Sequence, residues 1–154
     1  MSFRIAGLPA ADFQHWFGLG DAQLGVLGGV RRRVDTPHAF PCRISLTDAA
    51  VGDEVLLINH EHLPVDSPYR SRHAIYIRAG EQTFDAVDTV PDMLRRRLLS
   101  LRAFDAAGMM TGCDLCEGHD IERLIEHLFV DSQTEFVHAH FARPGCYAAR
   151  IDRS

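Results

Sequence analysis

The chain contains no lysine, and all 16 of its basic residues are arginine. A Schiff-base amine and the phosphate-binding lysine of a P-loop both need an ε-amino group, so the sequence excludes these two chemistries. Basic charge is also low, because the formal net charge is -5 at pH 7. The arginine runs at 31–33 and 95–97 have no interleaved aromatic residues for stacking on bases, and the second is typical of a solvated helix flank with one ion pair inward. We therefore predict that nucleic acid is not a partner.

Cysteine is scarce and long apolar runs are absent. A chain of 154 residues buries enough surface to fold around one core without disulfide or metal staples, so a reducing compartment fits better than a disulfide scaffold. No apolar run is long enough to span a bilayer, and no charged-then-apolar leader is present. The sequence thus predicts one globular domain over residues 1–154 in the cytoplasm, with no membrane partner. The four cysteines are Cys42, Cys113, Cys116 and Cys146.

Histidine occupies the most informative positions. Two strand-like stretches each carry a His-x-His step, and a further histidine lies between them. Because alternate residues of a strand point to the same face, each step can aim two imidazoles at one spot. Three neutral imidazoles suit a catalytic zinc ion, whereas histidines hydrogen-bonded at the rim of a core are the alternative. The residues concerned are His60 and His62, His138 and His140, and the intervening His73.

The cysteines allow several interpretations. Cys113 and Cys116, followed by His119, resemble a redox dithiol or half of a zinc knuckle, but the surrounding sequence supplies neither a second Cys-x-x-Cys nor a preceding βαβ unit. We therefore place these two cysteines in a loop before a helix and predict that they form no obligatory disulfide. Cys42 follows a proline and Cys146 follows a Pro-Gly turn. Each is either a nucleophile approached by a histidine or a buried apolar thiol.

Hydrophobic periodicity predicts an α+β domain with a mostly antiparallel sheet and helices packed on one side. We expect the strand that carries His62 to lie in the same sheet as the strand that carries His138 and His140. The predicted helices are 9–19, a short one from 21 that ends at 28–29, 91–98 and 119–130. The predicted strands are 54–60 or beyond, 72–78, 135–142 and 146–152, with further extended stretches at 41–45 and 99–110.

Several short motifs follow one another along most of the chain. They are Pro41-Cys42-Arg43, Gly52 to Leu57 with Glu61-His62, Ser67-Pro68-Tyr69-Arg70 with His73-Ala74-Ile75, Leu101 to Asp105, and His138-x-His140 with Pro144-Gly145-Cys146-Tyr147. From residue 3 to residue 150 this order resembles the bacterial family catalogued as domain of unknown function 1203. That family has no assigned activity, so the resemblance implies a single bacterial domain and supplies no catalytic residues.

The resemblance changes which histidines and cysteines are the better candidates for a functional role. The family pattern has tyrosine where this chain has His60, which leaves His62, His138 and His140 as the implied metal ligands. The stretch around Cys113 and Cys116 is variable in that pattern, which argues against a shared redox role.

The sequence supports two main functional hypotheses. The first is a small-molecule site, enzymatic or binding, in which Arg43 and Arg70 hold an anionic group bidentately and histidines handle protons or a divalent metal. The second is a noncatalytic interaction or structural domain. For the first hypothesis, the side chains expected to converge on one cleft are His62, Arg70, His73, His138, His140 and Cys146, with Cys42 and Tyr69 nearby.

Overall fold

The computed structural model describes residues 1–154 and contains two β-sheets with short helices. The strands are β1 (Phe3–Ala6), β2 (Val30–Arg33), β3 (Pro41–Cys42), β4 (Thr47–Asp48), β5 (Glu54–Leu63), β6 (Ser71–Ile77), β7 (Asp85–Val87), β8 (Leu98–Phe104), β9 (Met110–Glu117), β10 (Phe136–Phe141) and β11 (Tyr147–Arg153). The α-helices are α1 (Gln14–Phe17), α2 (Asp21–Val26), α3 (Asp92–Arg95) and α4 (Ile121–Leu128), with 3-10 turns at Ala10–Phe13 and Gly118–Asp120. None of the helices is long and apolar enough to span a membrane.

The prediction that the strand of His62 lies in the same sheet as the strand of His138 and His140 is wrong. One sheet has six strands in the order β7-β1-β11-β10-β8-β9, and the other has five in the order β2-β5-β6-β3-β4. Antiparallel pairing dominates as predicted, and the pairing of β3 with β6 is parallel. His62 therefore lies on a different sheet from His138 and His140.

The helices divide between the two sheets instead of packing on one side. Helix α4 buries Ile121, Leu124, Ile125 and Leu128 against the core of the six-stranded sheet, at the i, i+3, i+4, i+7 spacing that the sequence showed. Near the five-stranded sheet, Phe13 and Leu24 pack with apolar side chains of β5 and β6. Most apolar side chains of the two sheets thus pack in separate clusters, and Leu63 of β5 packs with Phe104 and Phe136 of the six-stranded sheet.

The segment that contains Cys113 and Cys116 is the edge strand β9, which corrects the predicted loop. Residues three apart on a strand point to opposite faces, so these two thiols are not placed to act as one dithiol. All four cysteines of the chain are free. The predicted helix at 91–98 is also too long, because α3 ends at Arg95 and Leu98 already pairs in β8.

A close backbone approach at Gly7 joins the end of β1 to the segment after β3. A Cβ at this position would lie 2.0 Å from the carbonyl oxygen of Ile44, and the Gly7 amide donates to the carbonyl oxygen of Phe84 at 2.8 Å. Because backbone atoms cannot move aside cheaply, we expect Gly7→Ala to reduce the free energy of unfolding by roughly 1–3 kcal/mol, as overpacking does. Urea denaturation measures this change.

Gly25→Ala is the matched control for that prediction. Gly25 lies on the exposed side of α2, and a Cβ there would meet no atom within 4 Å. Alanine favours a helix over glycine by up to about 1 kcal/mol, so this variant is expected to be as stable as the wild type or more so. Equal stability of the two alanine variants would contradict the close approach at Gly7.

Candidate functional site

Four imidazoles from both sheets meet between them. His62 is on β5 and His73 is on β6, while His138 and His140 are on β10. The ring centroid of His62 lies 4.8 Å from that of His73, 5.4 Å from that of His138 and 5.2 Å from that of His140. The structure therefore brings together the four histidines that were expected to converge, although from two sheets. We call these four residues the histidine cluster.

A bulge in β5 separates His62 from its neighbour in the His-x-His step. The pairing register of β5 with β6 shifts between Glu61 and Leu63, so His62 has no cross-strand partner. Bulges re-aim side chains, and His62 contacts the other sheet while the ring of His60 packs edge-on against Phe13 at 5.2 Å. The two imidazoles of this step are thus not aimed at one spot, and His60 lies outside the cluster.

The second His-x-His step behaves as the strand period predicts. His138 and His140 alternate along β10 on the same side and are almost completely buried, with 2% and 1% of their surfaces exposed. The ring of Tyr147 on the neighbouring strand β11 stacks on His62, with the centroids 4.8 Å apart and the planes 11° apart. Tyr147 therefore covers one side of the histidine cluster. In the sequence this residue belonged to the motifs of the family resemblance and was not predicted as a site residue.

Hydrogen bonds restrict the proton positions in the cluster. Nε2 of His62 lies 2.7 Å from Nδ1 of His73, and Nδ1 of His62 lies 3.4 Å from Nδ1 of His138. Since a neutral imidazole carries one proton, His62 donates to only one of these partners. Nδ1 of His140 lies 3.0 Å from the carbonyl oxygen of Gly145. Because a carbonyl oxygen only accepts hydrogen bonds, Nδ1 carries the proton and Nε2 keeps its lone pair.

Burial keeps these imidazoles neutral. It lowers the pKa of His138 to about 2, that of His62 to about 3 and that of His140 to about 4, and it lowers the pKa of His73 as well. Repulsion among the imidazoles lowers the pKa values of His62, His138 and His140 further, and repulsion from Arg102 lowers the pKa of all four histidines. Neutral imidazoles have unprotonated nitrogens near pH 7, which is the form that binds metal ions.

The spacing of three of the rings suits a metal ion. One ring nitrogen from each of His62, His138 and His140 lies within 4.8 Å of the others. Two nitrogens bound to one tetrahedral zinc at about 2.0–2.1 Å are about 3.4 Å apart. The separation of 3.4 Å between the Nδ1 atoms of His62 and His138 already equals that value. A carbonyl partner such as Gly145 on the far nitrogen of a ligating histidine is the usual arrangement around zinc.

A cavity of about 750 Å³ adjoins the cluster through His73. Four arginines and one carboxylate are among the side chains that line it, so its lining carries an excess of positive charge. Three of these arginines, Arg96, Arg97 and Arg143, were not predicted as site residues. Arg97 is the inward member of its arginine run, bound to both carboxylate oxygens of Asp48 at 3.1 and 2.6 Å. Arg143 is exposed in the turn between β10 and β11 and has no ion pair.

Arg43 is the most unusual residue of the cavity lining. Only 2% of its surface is exposed, and its guanidinium makes no ion pair with a carboxylate. Nε donates to the carbonyl oxygen of Tyr147 at 2.8 Å, Nη1 donates to that of Pro41, and Nη2 lies 3.1 Å from Sγ of Cys146. The guanidinium carbon also stands 4.9 Å from the centroid of the Phe141 ring. Arg43 and Cys146, both predicted as site residues, thus line the same cavity.

The predicted convergence fails for three residues, none of which lines the cavity or contacts the histidine cluster. Arg70 is exposed and pairs with Glu61 at 2.7 Å. Tyr69 is exposed, with its ring edge-on to Phe104. Cys42 is buried in a separate small core, and burial raises the pKa of its thiol to about 12.

Together these features define a two-sheet α+β domain with buried imidazoles beside a cationic cavity. The chain belongs to the family described as Protein of unknown function (DUF1203), whose family profile matches residues 39–153. The matched region includes every residue of the histidine cluster and the cavity residues Arg43, Arg143 and Cys146. Comparison with curated proteins and with solved structures finds no match to this chain.

Proposed function

We propose that this protein binds a small anionic molecule in the cavity of about 750 Å³. The observation that carries this proposal is the set of cavity arginines, above all the buried Arg43 guanidinium that has no carboxylate partner. A buried charge is costly unless it is paired, and a bound carboxylate or phosphate supplies the missing charge near it. Arginine binds both groups with two parallel hydrogen bonds.

The size and composition of the cavity support the same proposal. Its volume lies within the range of about 300–1,000 Å³ that is usual for small-molecule sites. Arg143 is exposed and unpaired at its edge, while the single lining carboxylate is Glu117. The site therefore favours a ligand with one or two negative charges over a neutral or cationic one. The meeting of the histidine rings beside this cavity is the reason for preferring a small-molecule site to a noncatalytic interaction surface.

Arg143→Gln tests the anion site because the change removes a charge without disturbing buried structure. We expect inorganic phosphate, titrated by calorimetry in a buffer with chelator, to bind the variant roughly tenfold to a hundredfold more weakly than the wild type, since a charged hydrogen bond contributes about 1.5–3 kcal/mol. Arg123→Gln is the matched control, because Arg123 is exposed on α4 and does not line the cavity. Equal losses in both variants, or no phosphate binding by the wild type, would contradict the proposal.

A second candidate function is zinc binding by His62, His138 and His140. The observation that favours it is the separation of their nitrogens, within 4.8 Å of one another, on rings that burial keeps neutral. His73 contacts both His62 and the cavity, so it joins the two candidate sites. A zinc ion held by these rings acts as a Lewis acid toward an anion in such a cavity.

A further inference from the structure

The cavity beside the histidine cluster is much larger than an inorganic oxyanion. Phosphate displaces only a few water molecules of about 30 Å³ each, whereas the cavity has a volume of about 750 Å³. A ligand that consisted of an acid group alone would leave most of this space to water. The remainder of the lining therefore indicates what is attached to the acid group.

The positive charges of the cavity gather around the ring of Phe141 on β10. The guanidinium carbons of Arg43 and Arg97 lie 4.9 and 5.0 Å from the centroid of this ring. Arg143 follows two residues later, in the turn after β10, where it is exposed and has no ion pair. An acid group is therefore expected to bind on this side of the cavity, which the six-stranded sheet provides.

Strands β5 and β6 of the other sheet line the cavity with side chains that carry no charge. Leu57 and Tyr76 lie directly opposite each other in the strand pairing, so both point to the same face of the sheet. Both are half-buried, and the ring of Tyr76 packs on that of Phe40 with the centroids 5.0 Å apart. His73 is neutral, because burial lowers its pKa. We call Leu57 and Tyr76 the apolar wall of the cavity.

We propose that the ligand of this cavity is an organic anion whose apolar body is about the size of an aromatic ring. Its acid group binds the arginines around Phe141, and its body lies on the apolar wall. The acid group rests on the proposed function, whereas the apolar body is the new element. Contact with the body covers side chains that are partly exposed and releases water from the space beside the acid group, so the body contributes to affinity independently of charge.

Calorimetric titration with phenyl phosphate, inorganic phosphate and phenol tests the apolar body, because the first compound combines the features of the other two. The buffer contains chelator and is held at about pH 8, where both phosphates are mainly dianions. We expect phenyl phosphate to bind roughly tenfold to a hundredfold more tightly than inorganic phosphate, since it buries an aromatic ring. Phenol lacks the acid group and is expected to bind at least about tenfold more weakly than phenyl phosphate.

The three affinities separate this inference from the proposed function. Equal binding of phenyl phosphate and inorganic phosphate would overturn the apolar body and leave the proposed anion site standing. Equal binding of phenyl phosphate and phenol would overturn the anionic class, and the proposed function with it, while the apolar wall remains a binding surface. Binding of none of the three compounds would overturn both.

Leu57→Thr tests whether the body lies on the apolar wall. Threonine suits a strand but presents a hydroxyl group in place of apolar surface, so the preference for phenyl phosphate over inorganic phosphate is expected to fall roughly threefold to tenfold. Leu115→Thr makes the same change on β9 at an exposed position outside the cavity, and it is expected to keep the wild-type preference. An unchanged preference in Leu57→Thr would overturn the placement. If this variant does not melt cooperatively, the wild-type affinities decide the proposal.

Discussion

Zinc is expected to bind to the metal-free protein as one ion per chain and to raise its melting temperature. At a free zinc concentration of about 100 times Kd the stabilisation is about 2.7 kcal/mol, which corresponds to a rise of roughly 5–10 °C for a domain of this size. The physical reason is that His62, His138 and His140 already present neutral nitrogens within 4.8 Å of one another. Calorimetric titration after dialysis against chelator gives the stoichiometry, and differential scanning calorimetry gives the shift.

Histidine variants separate the loss of a zinc ligand from the general effect of replacing a histidine. His62→Gln and His140→Gln are expected to lose the zinc-dependent rise, because each removes one of three ligands. His60→Gln is the matched control, since His60 lies two residues away on β5 but packs against Phe13 outside the histidine cluster. An equal rise in His62→Gln and His60→Gln would show that zinc binds elsewhere, and the four histidines would then be a hydrogen-bonded network.

The elements that sequence reasoning predicted are those whose signals are local. Helix α4 has four apolar residues on one face within eight positions, and the β10–β11 hairpin surrounds Pro144-Gly145, where Gly145 adopts a φ of 79°. Both signals depend on neighbouring residues only. Strand β9 was missed because it is an exposed edge strand with no apolar alternation, and only its pairing with β8 defines it.

The candidate site depends on long-range features that no local pattern contains. The sequence showed polar histidines within apolar strand-like runs, which was sufficient to nominate all four members of the histidine cluster. It did not show the bulge at His62, which separates this residue from His60, or the division into two sheets. Arg70 was nominated because a nearby motif contained it, whereas the structure pairs it with Glu61 outside the histidine cluster. Pairing across 76 residues, as between His62 and His138, is set by the whole fold.

The metal-free protein is expected to unfold in acid at a clearly higher pH than protonation of its carboxylates alone would cause. Burial lowers the pKa of His138 to about 2, of His62 to about 3 and of His140 to about 4, whereas the unfolded chain titrates these histidines near 6.5. The unfolded state therefore binds more protons, and the stability that is present above pH 6.5 is lost as the pH falls toward 4. At about pH 4.5 each of these three buried imidazoles reduces the free energy of unfolding by roughly 2–3 kcal/mol relative to its value at neutral pH.

The slope of stability against pH identifies the histidines responsible. Urea denaturation in chelator, repeated from about pH 7 to about pH 4.5, gives the free energy of unfolding at each pH. His138→Gln removes one buried titrating ring, so its slope is expected to decrease by up to about 1.4 kcal/mol per pH unit, whatever its stability at pH 7. His127→Gln, at an exposed position on α4, makes the same residue change and is expected to keep the wild-type slope. If both variants kept that slope, the ring of His138 would be protonated in the folded protein, and a neutral histidine cluster between the two sheets would be disproved.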